Sequence, residues 1–192
     1  MLILLCLGLS MLFFGIVYSD SKLYIHLTRY FLGISHNPPA GWLSSRPLIP
    51  LLTVPLASGL YIPIAYGVVN SLFWIGSAIL TYSITTHITR RRYAALGSAV
   101  LLSSSPPTLL YFGSVMLEGG STFFTLLIIW IFLRYSDKPR TILLPLIAGF
   151  GLLSKESTLP AVASILLLGI IDKQPKKILR YVILLVLPAL FW

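Results

Sequence analysis

The sequence predicts an all-α fold, a polytopic transmembrane helical bundle that forms a single domain over residues 1–192. Of the 192 residues, 57% are hydrophobic and only 10% are charged, and the mean hydropathy is +0.92. A soluble domain of this size needs more polar residues to cover its surface. The apolar residues also form long runs separated by short basic clusters, which is typical of about six or seven membrane spans.

The first apolar run, residues 2–19, predicts a first span. No basic residue precedes this run, so it lacks the charged leading region of a secretory signal, and an uncleaved span is favoured over a cleaved signal peptide. Cys6 lies in the run and is the only cysteine, so it has no partner for a disulfide bond within the chain.

An outer loop, residues 20–61, follows the first span and is predicted to hold two interfacial helices. In the stretch Asp20–Leu32, apolar residues recur at a spacing that suits an amphipathic helix lying in the membrane interface. The later segment Pro47–Ala57 is apolar and proline-rich, and Gly59 and Pro63 separate it from the next run. The apolar residues of the interfacial helix predicted for Asp20–Leu32 are Leu23, Leu27, Tyr30 and Phe31.

The remaining spans are predicted from apolar runs that end at charged residues, proline or glycine. One unbroken helix over residues 47–86 would be about twice as long as the ~30 Å core that it crosses, so this stretch must break. The run at residues 181–192 is too short to span and predicts a partial seventh helix or a fragment of a longer chain. The other predicted spans cover residues 62–87, 93–105, 121–133, 141–154 and 158–171.

The positions of the basic residues predict the topology. Ten of the 14 lysines and arginines fall in three loops on one side of the predicted spans, and such an excess marks the cytoplasmic side. The chain is therefore predicted to be a multi-pass protein of the cell membrane with a cytoplasmic N-terminus. The net charge of +9 is assigned to topology and to membrane lipids as partners, not to nucleic acid. The ten residues are Arg90, Arg91, Arg92, Arg134, Lys138, Arg140, Lys173, Lys176, Lys177 and Arg180.

Three acidic residues, Asp20, Glu118 and Glu156, fall on the opposite, outer side, each at the mouth of an apolar helix. Charges at membrane depth are costly and are therefore usually paired or functional. Asp20 is either the N-terminal cap of the interfacial helix or a base that acts on an acceptor hydroxyl. Glu118 is either a first-turn acid favoured by the helix dipole or a member of the same site.

Two basic residues on the outer side are candidates for binding a phosphate. Arg46 precedes a proline-stiffened segment, where its guanidinium group either binds a phosphate in a bidentate manner or extends to lipid headgroups. Lys155 directly precedes Glu156, and the two charges either neutralise each other or leave the lysine to hold a phosphate. The other polar residues predicted to face this outer cleft are Lys22, His26, Arg29 and His36.

The sequence predicts no metal site, because the three histidines and the cysteine do not have the spacing of metal ligands. It also contains no glycine-rich nucleotide loop and no nucleophile elbow.

Five short motifs occur in a fixed order along the chain. They are an acid and a tyrosine just after the first span, an Arg-Pro segment, an asparagine in a span rich in small residues, an acid that opens a span, and a Gly-Leu-Leu-Ser-Lys pattern with a later proline. In this sequence they are Asp20–Tyr24, Arg46–Leu52, Val69–Leu72, Leu117–Glu118 and Gly149–Pro160.

Together, these motifs resemble the N-terminal part of the membrane glycosyltransferases of the C-type superfamily (GT-C), and most of all the protein O-mannosyltransferase and aminoarabinose-transferase branch (family 39-like). The resemblance implies a polyprenyl-phosphate-linked sugar as donor and a protein or lipid-glycan acceptor met on the outer face. It leaves open whether a divalent cation is required.

The resemblance also implies roles for individual residues. Asp20 takes the position of the catalytic base, Arg46 and Lys155 lie near the carrier phosphate, and Glu118 lies near the acceptor or forms a second acidic site. The substrate-binding residues that it implies are Tyr24, Arg46, Glu118, Lys155 and Glu156.

Two other functions stay open. Many members of the superfamily carry a second acid where this chain has Ser21, and they are longer, so the chain is alternatively a non-catalytic or truncated subunit of a larger membrane complex with a membrane-protein partner. A small transporter is less favoured. Transporters typically have a charged site at the membrane midplane and internal repeats, and the sequence shows neither.

Overall fold

The structure is a computed structural model that describes residues 21–37, 46–106, 108–109, 115–135, 137–171 and 175–190. Every regular element within these ranges is a helix, which confirms the predicted all-α class. The first predicted span, residues 2–19, and Asp20 lie outside the described residues. The helices are α1 (Ser21–Phe31), α2 (Leu48–Ala57), α3 (Ile62–Thr89), α4 (Arg92–Ser104), α5 (Glu118–Arg134), α6 (Asp137–Ser154), α7 (Leu159–Ile171) and α8 (Pro175–Leu190), with a 3₁₀ turn at Glu156–Thr158.

Helix α3 packs against α2, α4 and α5, and α6 packs between α5 and α8. Two side-chain hydrogen bonds show that α3 and α5 run in the same direction. Asn70 Nδ2 donates to the carbonyl oxygen of Met116, just before α5, at 3.0 Å. Near the other end, Trp130 Nε1 donates to Ser83 Oγ at 2.8 Å. The bundle therefore has two ends, one at the N-termini of α3 and α5 and one at their C-termini.

The amphipathic helix predicted for Asp20–Leu32 is present as α1, but a different face of it is buried. Tyr24, Leu27 and Thr28 pack inward together with Ser21, at the spacing of one helix face. Leu23 and Tyr30, which belong to the apolar face predicted to lie in the membrane interface, are exposed on the protein surface. Hydroxyl groups can turn inward here because they find partners: Thr28 Oγ1 donates to the Tyr24 carbonyl oxygen at 3.0 Å.

Helix α3 buries several of its polar residues and exposes some of its apolar ones. Asn70, Ser71 and Ser77 are buried, whereas Ile79 and Leu72 are exposed, Leu72 to 63%. Exposing apolar surface to water costs roughly 25 cal/mol per Å². In lipid this cost disappears, and helices associate there through small and polar residues. The surface of α3 therefore suits hydrocarbon better than water.

Within the described residues, α3 is the one helix long and apolar enough to cross a membrane by itself. Its 28 residues extend about 42 Å at 1.5 Å per residue. Helices α4 and α7 have 13 residues each, about 20 Å, which is less than the ~30 Å hydrocarbon core. A bundle of six or seven spans therefore stays a prediction.

The predicted ends of α2 to α7 agree with the structure to within two residues, whereas three of the predicted starts do not. Helices α2 and α3 begin within a residue of the predicted positions, at Leu48 and Ile62. Helix α5 begins at Glu118 instead of residue 121, α6 at Asp137 instead of residue 141, and α8 at Pro175 instead of residue 181. Lys176, Lys177 and Arg180, which were predicted to lie in a loop, belong to α8.

Candidate functional site

Five of the predicted site residues meet at the end of the bundle that holds the N-termini of α3 and α5. Arg46 forms an ion pair with Glu156, and Lys155 forms an ion pair with Glu118. Tyr24 Oη accepts a hydrogen bond from Arg46 Nη1 at 3.2 Å. These five residues are called the ion-pair cluster below. The paired residues are 110 and 37 positions apart in the chain, so the fold, not local sequence, assembles the cluster.

Arg46 is the most deeply placed charge of the ion-pair cluster. Its side chain is only 8% exposed, and its two terminal nitrogens bond different partners, Tyr24 Oη and Glu156. A buried charge is tolerated only when it is paired and hydrogen-bonded, and both conditions are met here. The guanidinium plane is therefore held in one orientation.

A small hydroxyl network holds Tyr24 in place beneath Arg46. Tyr66, fully buried on α3, donates from its Oη to the Tyr24 carbonyl oxygen at 3.2 Å. The same hydroxyl lies 2.9 Å from Thr28 Oγ1. These bonds fix α1 against α3. Because Arg46 donates a hydrogen bond to Tyr24 on α1, the packing of α1 on α3 also sets the position of its guanidinium group. Sequence reasoning did not identify Tyr66, whose one signal is a polar group in the middle of an apolar run.

Lys155 and Glu156 do not neutralise each other, although they are adjacent. Lys155 leaves α6 with an extended backbone (φ −167°, ψ 146°), and Glu156 begins the 3₁₀ turn. Successive side chains of an extended residue point to opposite sides. Lys155 is therefore directed to Glu118 on α5, and Glu156 to Arg46 before α2. The alternative of mutual neutralisation is wrong in this structure.

Glu118 is the first residue of α5, where the helix dipole favours a negative charge. One of its oxygens, Oε1, receives the Lys155 ammonium group. The other, Oε2, is buried and has no hydrogen-bond partner among the described residues, and the same holds for Ser154 Oγ. A buried acceptor without a partner costs about 1–3 kcal/mol. One oxygen of the Glu118 carboxylate therefore keeps an unused capacity to accept a hydrogen bond.

Gly120 allows the close approach of α5 to α6 beside this carboxylate. A Cβ atom added at Gly120 would overlap the Ile49 side chain and lie 2.7 Å from Ser154 Oγ. A side chain here would therefore push α5 away from α2 and α6, and Glu118 with it.

Gly120→Ala is expected to lower the free energy of unfolding by about 1–3 kcal/mol, because the strain of overpacking exceeds the gain in helix propensity of less than about 1 kcal/mol. Gly97 in α4 is the matched control, since a Cβ there meets nothing within 4 Å. Gly97→Ala should be neutral or slightly stabilising. Both variants are compared by reversible unfolding in mixed micelles, and equal effects would contradict the close approach.

An apolar groove of about 400 Å³ lies between α5 and α7. Its lining on α7 begins at Pro160, four residues after Glu156. A groove of this size and composition accommodates part of an aliphatic chain. Its lining residues are Thr125, Ile128, Ile129, Phe132, Leu133, Pro160, Ala161 and Ser164.

His26 and Arg29, two of the other residues predicted to lie on the outer side, make their contacts away from the ion-pair cluster. His26 Nε2 lies 3.1 Å from the Asn37 carbonyl oxygen on the exposed side of α1. Arg29 lines a separate cavity together with Tyr61 and Pro63. Asp20 lies outside the described residues, but Ser21, which follows it in the sequence, donates to the Val115 carbonyl oxygen at 2.8 Å. Within the described residues, no three histidine, cysteine or acidic side chains gather as metal ligands.

Comparison of the chain with protein-family models, with curated proteins and with solved structures finds no match in any of the three. The resemblance of its motifs to the C-type glycosyltransferases therefore stays a prediction.

Proposed function

We propose that the chain is a membrane glycosyltransferase that moves a sugar from a polyprenyl-phosphate donor to an acceptor hydroxyl on the non-cytoplasmic face. The observation that supports this function best is the ion-pair cluster. Arg46 and Lys155 come from distant parts of the chain and lie beside two carboxylates, Glu118 and Glu156, at one end of an apolar bundle.

The cations of the ion-pair cluster suit the leaving group of this reaction. When the bond between the sugar C1 and the phosphate oxygen breaks, the phosphate keeps the electron pair and gains negative charge. Arginine binds phosphate through parallel hydrogen bonds, and lysine stabilises it as a point charge. Preorganised cations of this kind stabilise the transition state because they need not reorganise as charge develops.

Phosphate binding requires that one carboxylate gives up its cation, and Glu156 is the more easily displaced. The Glu156 side chain is 62% exposed, whereas Glu118 is 24% exposed. An exposed carboxylate regains most of its hydration on leaving, so the exchange of Glu156 for a phosphate oxygen costs little. Arg46 would then keep Tyr24 and take the donor phosphate in place of Glu156.

The lipid part of the donor also has a fitting surface. The groove between α5 and α7 is apolar and lies close in sequence to the ion-pair cluster. The exposed apolar face of α3 favours lipid as the surroundings. A donor with a polyprenyl tail is met in the membrane, so a charged cluster at one end of an apolar bundle is where its phosphate would be bound.

The test is turnover of a defined donor by the full chain in lipid nanodiscs. The donor is a polyprenyl-phosphate hexose with a labelled sugar, offered as a panel of hexoses, and released polyprenyl phosphate is measured because it reports transfer to any acceptor, including water. The control donor is the nucleotide-linked form of each hexose. Release from the lipid donor alone supports the proposal, and turnover of the nucleotide sugar alone contradicts it.

A second candidate is a non-catalytic subunit in which both ion pairs are only structural. It is favoured by the fact that Arg46 and Lys155 already have carboxylate partners. This candidate predicts no donor turnover, no binding of polyprenyl phosphate and co-purification with a larger membrane complex.

Arg46→Leu is expected to weaken the binding of polyprenyl phosphate at least tenfold, because a hydrogen bond to a charged group contributes about 1.5–3 kcal/mol. Glu156→Gln is expected to strengthen it, because the competing carboxylate is gone and the size is unchanged. The dissociation constant is measured by titrating the full chain in detergent, with polyprenol lacking the phosphate as control ligand. Equal weakening by both substitutions would show that the Arg46–Glu156 pair is structural.

A further inference from the structure

A cavity of about 440 Å³ lies at the other end of the bundle, at the C-termini of α3 and α5. Three arginines line it: Arg90 and Arg92 flank the turn between α3 and α4, and Arg134 is the last residue of α5. This cavity is called the three-arginine cavity below. It is separate from the ion-pair cluster and plays no part in the proposed glycosyl transfer.

The backbone at Arg90 is in an unfavourable conformation for an arginine. Arg90 ends α3 with φ 59° and ψ 15°, in the left-handed region, and its N–H donates to the Thr86 carbonyl oxygen at 2.9 Å. Helices commonly end in this way with glycine, because a side chain in the left-handed region is sterically strained. The chain nevertheless has an arginine here, at the edge of the cavity. Strained residues of this kind often have a functional role, which for Arg90 would belong to its guanidinium group.

The structure describes no carboxylate partner for the charges of the three-arginine cavity. Among the side chains that the structure describes, none of the three arginines forms an ion pair with a carboxylate. This contrasts with the other end of the bundle, where Arg46 and Lys155 each have one. The three guanidinium groups repel one another, and the negative ends of the α3 and α5 dipoles offset only part of this repulsion, because a helix dipole stabilises an exposed charge only slightly. An anion bound in the cavity would offset the remaining repulsion.

A hydroxyl group in the wall adds a further unused donor. Thr86 Oγ1 is buried and has no hydrogen-bond partner among the described residues. Beside it are His87 and Trp130, and Trp130 is fixed by its hydrogen bond to Ser83. The cavity therefore combines guanidinium groups, a free hydroxyl and an aromatic side chain, which is the composition of the polar edge of a membrane.

We infer that the three-arginine cavity binds the phosphate group of an anionic phospholipid headgroup. The forked donors of arginine match phosphate oxygens, and the volume falls within the roughly 300–1,000 Å³ of typical ligand sites. The apolar part of the lining, Ile79 and Leu133, gives a lipid an advantage over a soluble phosphate ester. The cavity also lies at one end of α3, the helix that is able to cross a bilayer, and hence at the depth of the headgroups.

The experiment measures the thermal stability of the full chain in detergent as lipid is added. Phosphatidylglycerol is compared with phosphatidylcholine of the same acyl chains, and glycerol phosphate is the soluble probe. Phosphatidylglycerol should raise the melting temperature in a saturable manner. In the Arg134→Gln variant, the concentration of phosphatidylglycerol that gives half of the maximal rise in melting temperature should increase at least tenfold. Arg91 is the matched control, because it lies between two lining arginines and does not line the cavity; Arg91→Gln should change it less than twofold.

The outcomes separate the sources of the phosphate. Equal protection by glycerol phosphate would keep the site and assign it to a soluble phosphate ester. Equal protection by phosphatidylcholine, or an equal loss in Arg91→Gln, would overturn the inference. If Arg134→Gln does not fold, the exposed Arg92→Gln serves instead. Arg90→Gly adds a readout that a structural role cannot mimic: it should raise the melting temperature without lipid, because the strain is relieved, and weaken the response to phosphatidylglycerol.

Discussion

Asp20→Asn is expected to reduce sugar transfer from a polyprenyl-phosphate donor by about 10²- to 10⁴-fold, the usual contribution of a positioned general base. The acceptor hydroxyl is a poor nucleophile until its proton is removed. In the proposed reaction, the Asp20 carboxylate would take this proton as the acceptor oxygen bonds to C1 of the sugar and the phosphate leaves. Asparagine has nearly the same shape but cannot accept the proton, so binding should survive while turnover is lost.

The chain offers a matched control for this substitution. Asp137 opens α6 and was predicted to be an ordinary charge of the headgroup zone. Asp137→Asn makes the same chemical change and should leave transfer unaltered. Each variant is reconstituted into nanodiscs, and both donor turnover and the dissociation constant for polyprenyl phosphate are measured. Normal turnover by Asp20→Asn would remove the base from the mechanism, even if the lipid phosphate still binds.

The neighbour of Asp20 helps to connect this prediction with the described structure. Ser21 donates to the Val115 carbonyl oxygen in the segment that leads to Glu118. The start of α1 is thereby tied to the start of α5. This bond gives a physical reason to test Asp20 and Glu118 as parts of one site, because a small displacement of reacting groups costs a large factor in rate.

Much of the fold follows from local rules that a single sequence reveals. The breaks before α2 and α3 are predictable because proline removes a backbone donor and clashes within a helix. The starts of α5, α6 and α8, which lie earlier in the chain than predicted, were not, because the prediction followed hydrophobicity. Lysine, arginine and glutamate have good helix propensity, so a helix can begin at charged residues such as Lys176 before the apolar run starts.

The charged residues of the ion-pair cluster were predicted to share one outer cleft, but their pairing was not predicted. That prediction followed from the cost of charge at membrane depth, and it also included His26 and Arg29, which make other contacts in the structure. Which acid meets which cation depends on the extended backbone at Lys155, a single pair of dihedral angles that no sequence pattern indicates. The same limit applies to Tyr66 and Thr28, whose hydrogen bond forms between residues 38 positions apart.

Lys155→Met is expected to lower the free energy of unfolding by roughly 2–3 kcal/mol, and Glu118→Gln by a similar amount. Breaking a fully buried ion pair costs about 3–5 kcal/mol, and an exposed pair contributes less than about 1 kcal/mol. The Lys155 and Glu118 side chains are 20% and 24% exposed, so the pair falls between these limits. The main cost is the charge left behind with one partner missing.

The double substitution Lys155→Met with Glu118→Gln separates the pair from its surroundings. If the two residues stabilise the fold through each other, the double variant should lose less than the sum of the single variants, by about 1–3 kcal/mol, because no unpaired charge remains. Additive losses at Lys155 and Glu118 would mean that the two side chains are not coupled in the folded protein. In that case the apolar core between α5 and α6, which includes Ile128 and Ala148, would hold the two helices together without help from the ion pair.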